Sequence, residues 1–126
     1  MSQQEYGLSV FGEILAGIIS EIPQAHSAII VDYECEMIDA VGNQARLDLA
    51  LPAAHWGTLQ LMLQRRFAEL GFGQARSIEA RFGEHNITLA AISAEYFVVV
   101  LLGPLANLAH AAYLLRRALP RLLEQM

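Results

Sequence analysis

The sequence contains no lysine, and all eight of its basic residues are arginines. This absence excludes a phosphate-binding P-loop, which needs a lysine, and any chemistry that begins with a lysine Schiff base. The single cysteine, Cys35, excludes an internal disulfide and a cysteine-rich metal cluster. The first residues also lack the basic segment that opens a secretory signal. A chain of this kind suits a reducing compartment, so we expect a cytoplasmic protein.

Charge is scarce as well. Charged residues make up 17% of the 126 residues and hydrophobic residues 55%, and the net charge is -5. A negative balance argues against binding to nucleic acid or to an anionic membrane. The length fits one domain, residues 1–126. Because an apolar excess in a soluble protein is commonly buried between subunits, we expect a self-associating domain.

Residues 87–103 form the most apolar stretch of the chain. Tyr96–Leu102 is rich in β-branched and aromatic residues without polar alternation, which is typical of a strand covered on both faces. A membrane-spanning helix needs about 20 apolar residues in a row, but Glu95 interrupts this stretch and Gly103 ends it. We therefore predict two buried strands joined by a tight hairpin at residues 93–95, and no membrane insertion.

The rest of the chain divides at its prolines and glycines. Pro23 is predicted to end the first helix, Pro52 to begin the second and Pro104 to begin the third, which Pro120 should kink or break. Residues 44–51 are predicted to form a connector with some strand character. Helices are predicted at 5–22, 52–70 and 103–119, and strands at 26–33, 37–41, 76–82, 87–92 and 96–102. This order, αββαβββα, indicates an α+β sandwich with a mostly antiparallel five-stranded sheet and helices on both faces.

Four carboxylates surround the first predicted hairpin, at Asp32, Glu34, Glu36 and Asp39. Oxygen cages for divalent cations do need several carboxylates, but this spacing does not match an EF-hand loop. A hairpin whose acidic residues are solvated explains the pattern better. We therefore predict neither a metal site nor a cofactor.

Candidate catalytic groups are sparse. His26 and Ser27 are neighbours in sequence, and neighbouring residues of a strand point to opposite faces, so we do not expect a direct nucleophile–base pair. The sequence therefore predicts a protein that is not an enzyme. An alternative stays open, in which the domain senses a small ligand or a metal through His26.

Three stretches resemble the Roadblock family of small dynein-light-chain-like domains, including its bacterial members: residues 28–39, residues 96–102, and Asn107-Leu108 with the alanine-rich helix that follows. Cys35 departs from the family pattern, because the family's first hairpin usually has glycine there. The resemblance implies a Roadblock/profilin-like fold with sheet order 2-1-5-4-3. In that fold the first and last helices cover one face and the second helix covers the other.

The resemblance also implies a function. Family members commonly dimerise by pairing the third strand and packing their second helices together, and they bind or regulate small Ras-like GTPases. We therefore expect a non-enzymatic regulatory or scaffold module that forms a homodimer, with a heterodimer with another Roadblock-like chain as the alternative. The predicted dimer interface comprises Trp56, Leu59, Met62, Leu63, Phe67, Arg76, Ile78, Ala80 and Phe82. The predicted partner-binding residues are Leu61, Gln64, Arg65 and Arg66, of which Arg65 or Arg66 is a candidate arginine finger.

Overall fold

The computed structural model describes residues 9–42 and 46–126, and in the second helix it describes side chains from residue 54 onward. Its sheet has five antiparallel strands in the order β2-β1-β5-β4-β3, as the resemblance implies. The elements in chain order are α1 (Val10–Glu21), β1 (Ala25–Asp32), β2 (Met37–Gly42), α2 (Arg46–Glu69), β3 (Ser77–Arg81), β4 (Asn86–Ala91), β5 (Tyr96–Leu102) and α3 (Leu108–Leu123).

The middle of the sheet is β5, which pairs with β1 on one side and β4 on the other. Val99 lies opposite both Ile29 and Leu89, and all three side chains are buried. The most apolar stretch of the sequence is therefore two strands, as predicted. No helix in the described part of the chain combines the length and the hydropathy that a membrane span requires.

Two layers of unequal size cover the sheet. On one face α1 and α3 bury a large aliphatic core that includes Leu15, Leu115 and Val98. On the other face α2 packs mainly against β1 and β2, over a smaller core around Phe97 and Val99. Because α2 lies over the β1–β2 half of this face of the sheet, the β4–β3 half of the same face is less covered by helix.

The buried carboxylate of Asp39 helps to anchor the start of α1. The Ser9 side chain caps α1 by accepting a hydrogen bond from the Gly12 N–H at 2.9 Å, and the Ser9 hydroxyl hydrogen-bonds to the Asp39 carboxylate. Asp39 is buried, so the prediction that all four hairpin carboxylates are solvated was wrong at this position. The α1 helix ends at Glu21, just before Pro23, as predicted, and its predicted start at Glu5 lies outside the described residues.

The second helix is longer than predicted. It begins at Arg46 and carries Pro52 in its interior, so the prediction of a strand-like connector was wrong from residue 46 onward. Residues 46–49 alternate polar and apolar side chains, which suggested a strand, but arginine, leucine and alanine are good helix formers. Pro52 costs the helix one backbone bond. The helix stops at Gly71, whose φ of 78° lets the Phe72 N–H reach the Phe67 carbonyl at 2.9 Å.

The third helix begins later and ends later than predicted. Asn107 caps it by accepting a hydrogen bond from the His110 N–H at 3.1 Å, so the helix starts at Leu108 and not beside Pro104. It continues through Pro120 to Leu123. Pro120 lies in the last turn, where it removes a single backbone bond, and the buried side chain of Leu122 holds that turn against the core.

The turn between β1 and β2 contains the departure from the family pattern. Cys35 has a φ of 72°, the left-handed conformation that glycine adopts with less strain. The Asp32 carboxylate organises this turn by accepting the N–H groups of Glu34 and Glu36. Gly57 of α2 lies directly above, and a Cβ there would approach the Cys35 Cα to 2.8 Å. The close approach of α2 to this turn therefore requires a glycine at position 57.

Candidate interaction surface

The outer face of α2 exposes large apolar side chains. Leu59 is 42% exposed and Met62 is 59% exposed. Trp56, Leu63 and Phe67, which the sequence assigns to the same stripe, are half-buried toward the protein instead. The apolar positions of α2 span more than one face of a helix with 3.6 residues per turn. Some of them therefore point toward the sheet and others toward the solvent. Apolar contact area is thus available on α2 after its own core has formed.

The strand β3 lies at the edge of the sheet next to this area, and in the described part of the chain no other strand pairs with its outer side. The Ala91 N–H donates to the Arg76 carbonyl at 2.9 Å, and antiparallel ladder bonds alternate along a strand. The backbone N–H and carbonyl groups of Ile78 and Ala80 therefore point toward β4, and those of Glu79 point away from the sheet. The side chains alternate too: Ile78 and Ala80 are half-buried, while Ser77, Glu79 and Arg81 are exposed.

The opposite edge, β2, is less open. The N–H of Ala40 donates to the Asp39 carboxylate at 2.8 Å, and the same carboxylate holds the cap of α1. An acidic side chain that occupies a backbone N–H of an edge strand discourages another strand from pairing there. Of the two sheet edges, β3 is therefore the better template for pairing with another chain.

The two apolar areas meet at one aromatic contact. The rings of Trp56 on α2 and Phe82 beyond β3 lie 6.4 Å apart between centroids, and Phe82 is 55% exposed. We call the combined area the α2–β3 surface. It comprises Trp56, Leu59, Met62, Ile78, Ala80 and Phe82.

The four residues predicted to contact a partner behave differently from one another. Arg65 and Arg66 are exposed, and Arg66 lies 3.9 Å from Glu69. Leu61 is half-buried. Gln64 is held internally, because its amide donates to the Ala75 carbonyl at 3.0 Å and accepts the Ala75 N–H at 3.1 Å. The arginines are thus available to a partner, whereas the Gln64 amide fastens the loop after α2.

Sequence reasoning missed the apolar end of α2. Leu70 is 65% exposed and Phe72 is 73% exposed, and the Phe72 ring stacks on Phe67 at 5.6 Å between centroids. The signal was present in the Gly71 stop, since an apolar residue after such a glycine commonly folds back onto the last turn. These two residues extend the exposed apolar area beyond the α2–β3 surface.

His26 and Ser27 do meet, contrary to the prediction. The His26 Nδ1 lies 3.0 Å from the Ser27 Oγ. The register of β1 against β5 shifts between Ala25 and Ser27, and such an irregularity breaks the strict alternation on which the prediction relied. Ser27 is fully buried, so its hydroxyl has no access to a substrate.

A cavity of about 510 Å³ opens beside His26, lined by Trp56, Phe82, Ile87 and Leu101 among others. Within it the rings of His26 and His85 meet edge to face at 5.7 Å. Desolvation, and then the electrostatic effect of His85, lower the pKa of His26 below its ordinary value of 6.5. The His26 Nε2 atom is buried without a hydrogen-bond partner among the described atoms.

No group of three or more His, Cys, Asp or Glu side chains in residues 9–42 and 54–126 is placed to hold a metal ion.

Comparison with known proteins identifies solved structures that share the fold of this chain. No protein-family model matches the sequence, and no curated protein matches it. A solved Roadblock/LC7 domain from Streptomyces avermitilis superposes with a TM-score of 0.82 at 15% identity, over 90% of this chain and 94% of that chain. MglB from Myxococcus xanthus gives 0.79 at 14% identity over 91% and 95%, and a structure of MglB with a tetrameric arrangement gives 0.79 at 15% over 89% and 84%. The chain therefore has the Roadblock/LC7 fold that its sequence resemblance predicts.

Proposed function

We propose that this protein is a non-enzymatic regulatory or scaffold module that forms a homodimer through β3 and α2 and binds a small Ras-like GTPase. The observation that carries the proposal is the α2–β3 surface, where exposed apolar side chains adjoin the edge strand of the sheet. The proposed dimer interface is the nine-residue set predicted from the sequence. Its members on α2 and β3 adjoin one another in the fold through the contact of Trp56 with Phe82.

The energetics favour burial of this surface. Met62 and Phe82 are each more than half exposed, and full burial of a large apolar side chain contributes about 1.5–3 kcal/mol. Pairing of β3 with its copy satisfies the outward backbone groups at Glu79, and such isologous pairing around a two-fold axis closes after two chains. The similarity to MglB in a tetrameric arrangement supports assembly of this fold into oligomers.

For the GTPase, the proposed contact is the exposed ridge of α2 that carries Arg65 and Arg66. Two paired α2 helices present two copies of this ridge side by side. The overall charge of -5 makes these arginines a local exception, which suits an acidic patch on a partner. The similarity of the fold to MglB and the sequence resemblance to the Roadblock family both favour a regulatory partner over a substrate.

The alternative function, sensing of a small ligand, would use the cavity beside His26. The buried Nε2 atom of His26 favours it, because an unpartnered imidazole nitrogen can accept or donate a hydrogen bond to a ligand. We prefer the GTPase-binding function because Trp56 and Phe82 line this cavity and also belong to the α2–β3 surface. Dimerisation there would restrict access to the cavity.

The test is binding of the purified protein to a Ras-like GTPase from the same cell, loaded with GDP or with a GTP analogue and measured by calorimetry. We expect binding that depends on the bound nucleotide. Arg65→Ala should weaken it by roughly threefold to tenfold, as loss of an interfacial charge does. Arg117→Ala, on α3 across the sheet, is the matched control and should bind as the unmodified protein does.

Equal affinity for both nucleotide states would contradict a nucleotide-dependent regulatory role. Equal losses from Arg65→Ala and Arg117→Ala would count against docking through α2. Stimulated GTP hydrolysis that disappears only in Arg65→Ala or Arg66→Ala would identify an arginine finger. Stimulation of GTP hydrolysis that survives both substitutions would show that neither Arg65 nor Arg66 is an arginine finger.

A further inference from the structure

A second cavity, of about 630 Å³, lies on the other side of the sheet. It runs between the last turns of α3 and the strands β3 and β4, and we call it the α3 groove. Its volume is within the range of sites for small molecules, roughly 300–1,000 Å³. Because α2 covers the opposite face, neither the proposed pairing of α2 helices nor a GTPase bound to them would fill this groove.

The floor of the α3 groove is aliphatic. Ile92 is buried beneath it, and Leu119, Pro120 and Leu123 form its wall on α3. Leu123 is 51% exposed, so its burial by a ligand would be favourable. Among the described residues no aromatic side chain lines the groove, so they offer no ring for a nucleobase or another flat ligand to stack on. The floor suits a flexible aliphatic chain.

Two arginines, Arg76 and Arg116, also line the groove. In the described part of the chain neither guanidinium makes a hydrogen bond or an ion pair. No acidic residue in the described part of the chain lines this groove, although the whole sequence has 13 acidic residues against eight arginines. Glu79, two positions beyond Ser77 on β3, is not among the lining residues. Four other arginines do have partners: Arg66 near Glu69, Arg81 on the Ala106 carbonyl, Arg117 over the Tyr113 ring and Arg121 on Glu21.

We propose that the α3 groove binds a free amphipathic anion, namely a carboxylate or phosphate monoester that carries an aliphatic chain. The anionic head contacts the guanidinium groups of Arg76 and Arg116, whose planar donors match carboxylate and phosphate oxygens. The chain lies along Leu119 and Leu123. Charge complementarity on an acidic protein and an aliphatic floor without aromatic rings together select this class of ligand.

Arg76 links the α3 groove to the proposed dimer interface. It directly precedes β3 and belongs to the predicted dimer interface, yet it also lines the groove on the α3 side. A ligand held by Arg76 therefore lies beside the strand edge that is proposed to pair. The binding itself requires neither dimerisation nor a GTPase, so it can be tested on the protein alone.

The experiment is calorimetric titration of the purified protein with decanoate and with octyl phosphate. We expect both to bind, with weaker binding as salt is added, because exposed charges are screened. Acetate, which lacks the chain, and decyltrimethylammonium, which reverses the charge, should not bind. The double variant Arg76→Gln/Arg116→Gln should lose affinity by about tenfold, as expected for two exposed ion pairs.

Arg65→Gln is the matched control, because Arg65 is an exposed arginine on α2, outside the groove. It should bind decanoate as the unmodified protein does, whereas Leu123→Ser should weaken the binding of decanoate more than that of a shorter carboxylate. The proposal is overturned if the double variant binds decanoate unchanged, or if decyltrimethylammonium binds equally well. Binding to vesicles of phosphatidylglycerol without binding to free decanoate would also overturn it and would indicate a membrane-surface site.

Discussion

At the scale of single residues, the turn after β1 shows how one unusual position is accommodated. A left-handed conformation costs a residue with a side chain roughly 1–2 kcal/mol, and Cys35 adopts it. The surroundings over-determine that conformation: the Cys35 N–H donates to the Asp32 carbonyl at 3.1 Å, and the Cys35 sulfur lies 3.5 Å from the Thr58 hydroxyl of α2. The contact with α2 could not be read from the sequence, because Thr58 is 23 positions away.

The pKa of His26 leads to a prediction about stability and pH. Because desolvation and His85 lower the pKa of His26 below 6.5 in the folded protein, the unfolded chain binds more protons as the pH falls through about 6.5. The folded state therefore loses stability from about pH 7 downward until the pH passes below the folded pKa. His26→Gln should make the free energy of unfolding less dependent on pH in this range, as measured by urea denaturation.

His110→Gln provides the control, since His110 is exposed on α3 and its ring contacts neither of these histidines. It should leave the pH dependence as it is. An unchanged slope in His26→Gln would show that the pKa of His26 is not lowered by folding.

At the scale of elements, α2 covers the smaller of the two cores and buries a polar side chain against it. Its buried face contains Gln60, which is fully buried and whose amide has no hydrogen-bond partner among the described atoms. Burial of an unpaired amide is unfavourable, so this residue weakens the attachment of α2 to the sheet. The sequence pattern marks Trp56, Leu63 and Phe67 as apolar positions, but the burial of Gln60 depends on how α2 lies on the sheet, which it approaches closely at Gly57.

Gln60→Met should therefore stabilise the protein. Methionine has a similar shape without the amide, so we expect a gain of about 1–2 kcal/mol in the free energy of unfolding, measured by urea denaturation. Gln64→Met is the matched control four residues along the same helix. It removes both hydrogen bonds to Ala75 and should destabilise the protein. A loss of stability in Gln60→Met as large as in Gln64→Met would show that the Gln60 amide has partners.

At the scale of the whole molecule, apolar surface and an open edge lie on the same side. The chain is 55% hydrophobic, and part of this excess forms the α2–β3 surface next to the β3 edge. The second edge is occupied at Ala40 by the Asp39 carboxylate. A monomer in which one sheet edge is more open than the other suits a dimer and does not favour growth into a filament.

The open edge predicts how assembly responds to proline. Glu79→Pro removes a backbone N–H that faces away from β4, so it should leave the sheet of the monomer intact while blocking strand pairing between chains. Light scattering should give twice the 13.9 kDa chain mass for the unmodified protein and the monomer mass for this variant. Glu79→Ala should remain dimeric. A monomer mass for the unmodified protein at micromolar concentration would contradict assembly through β3.

The sequence by itself determined the number, type and order of the elements and the central place of β5. Those features follow from local apolar patterns and from stops at Pro23, Gly71 and Gly103. The helix starts at Arg46 and Leu108 were missed because the first depends on tolerance of an interior proline and the second on the Asn107 cap. The tertiary structure alone decided which apolar residues of α2 stay exposed and which sheet edge is more open. It also decided that one aliphatic groove is bordered by two arginines that have no partner among the described residues. Each of these depends on packing between segments that are distant in sequence, and periodicity within one segment carries no information about it.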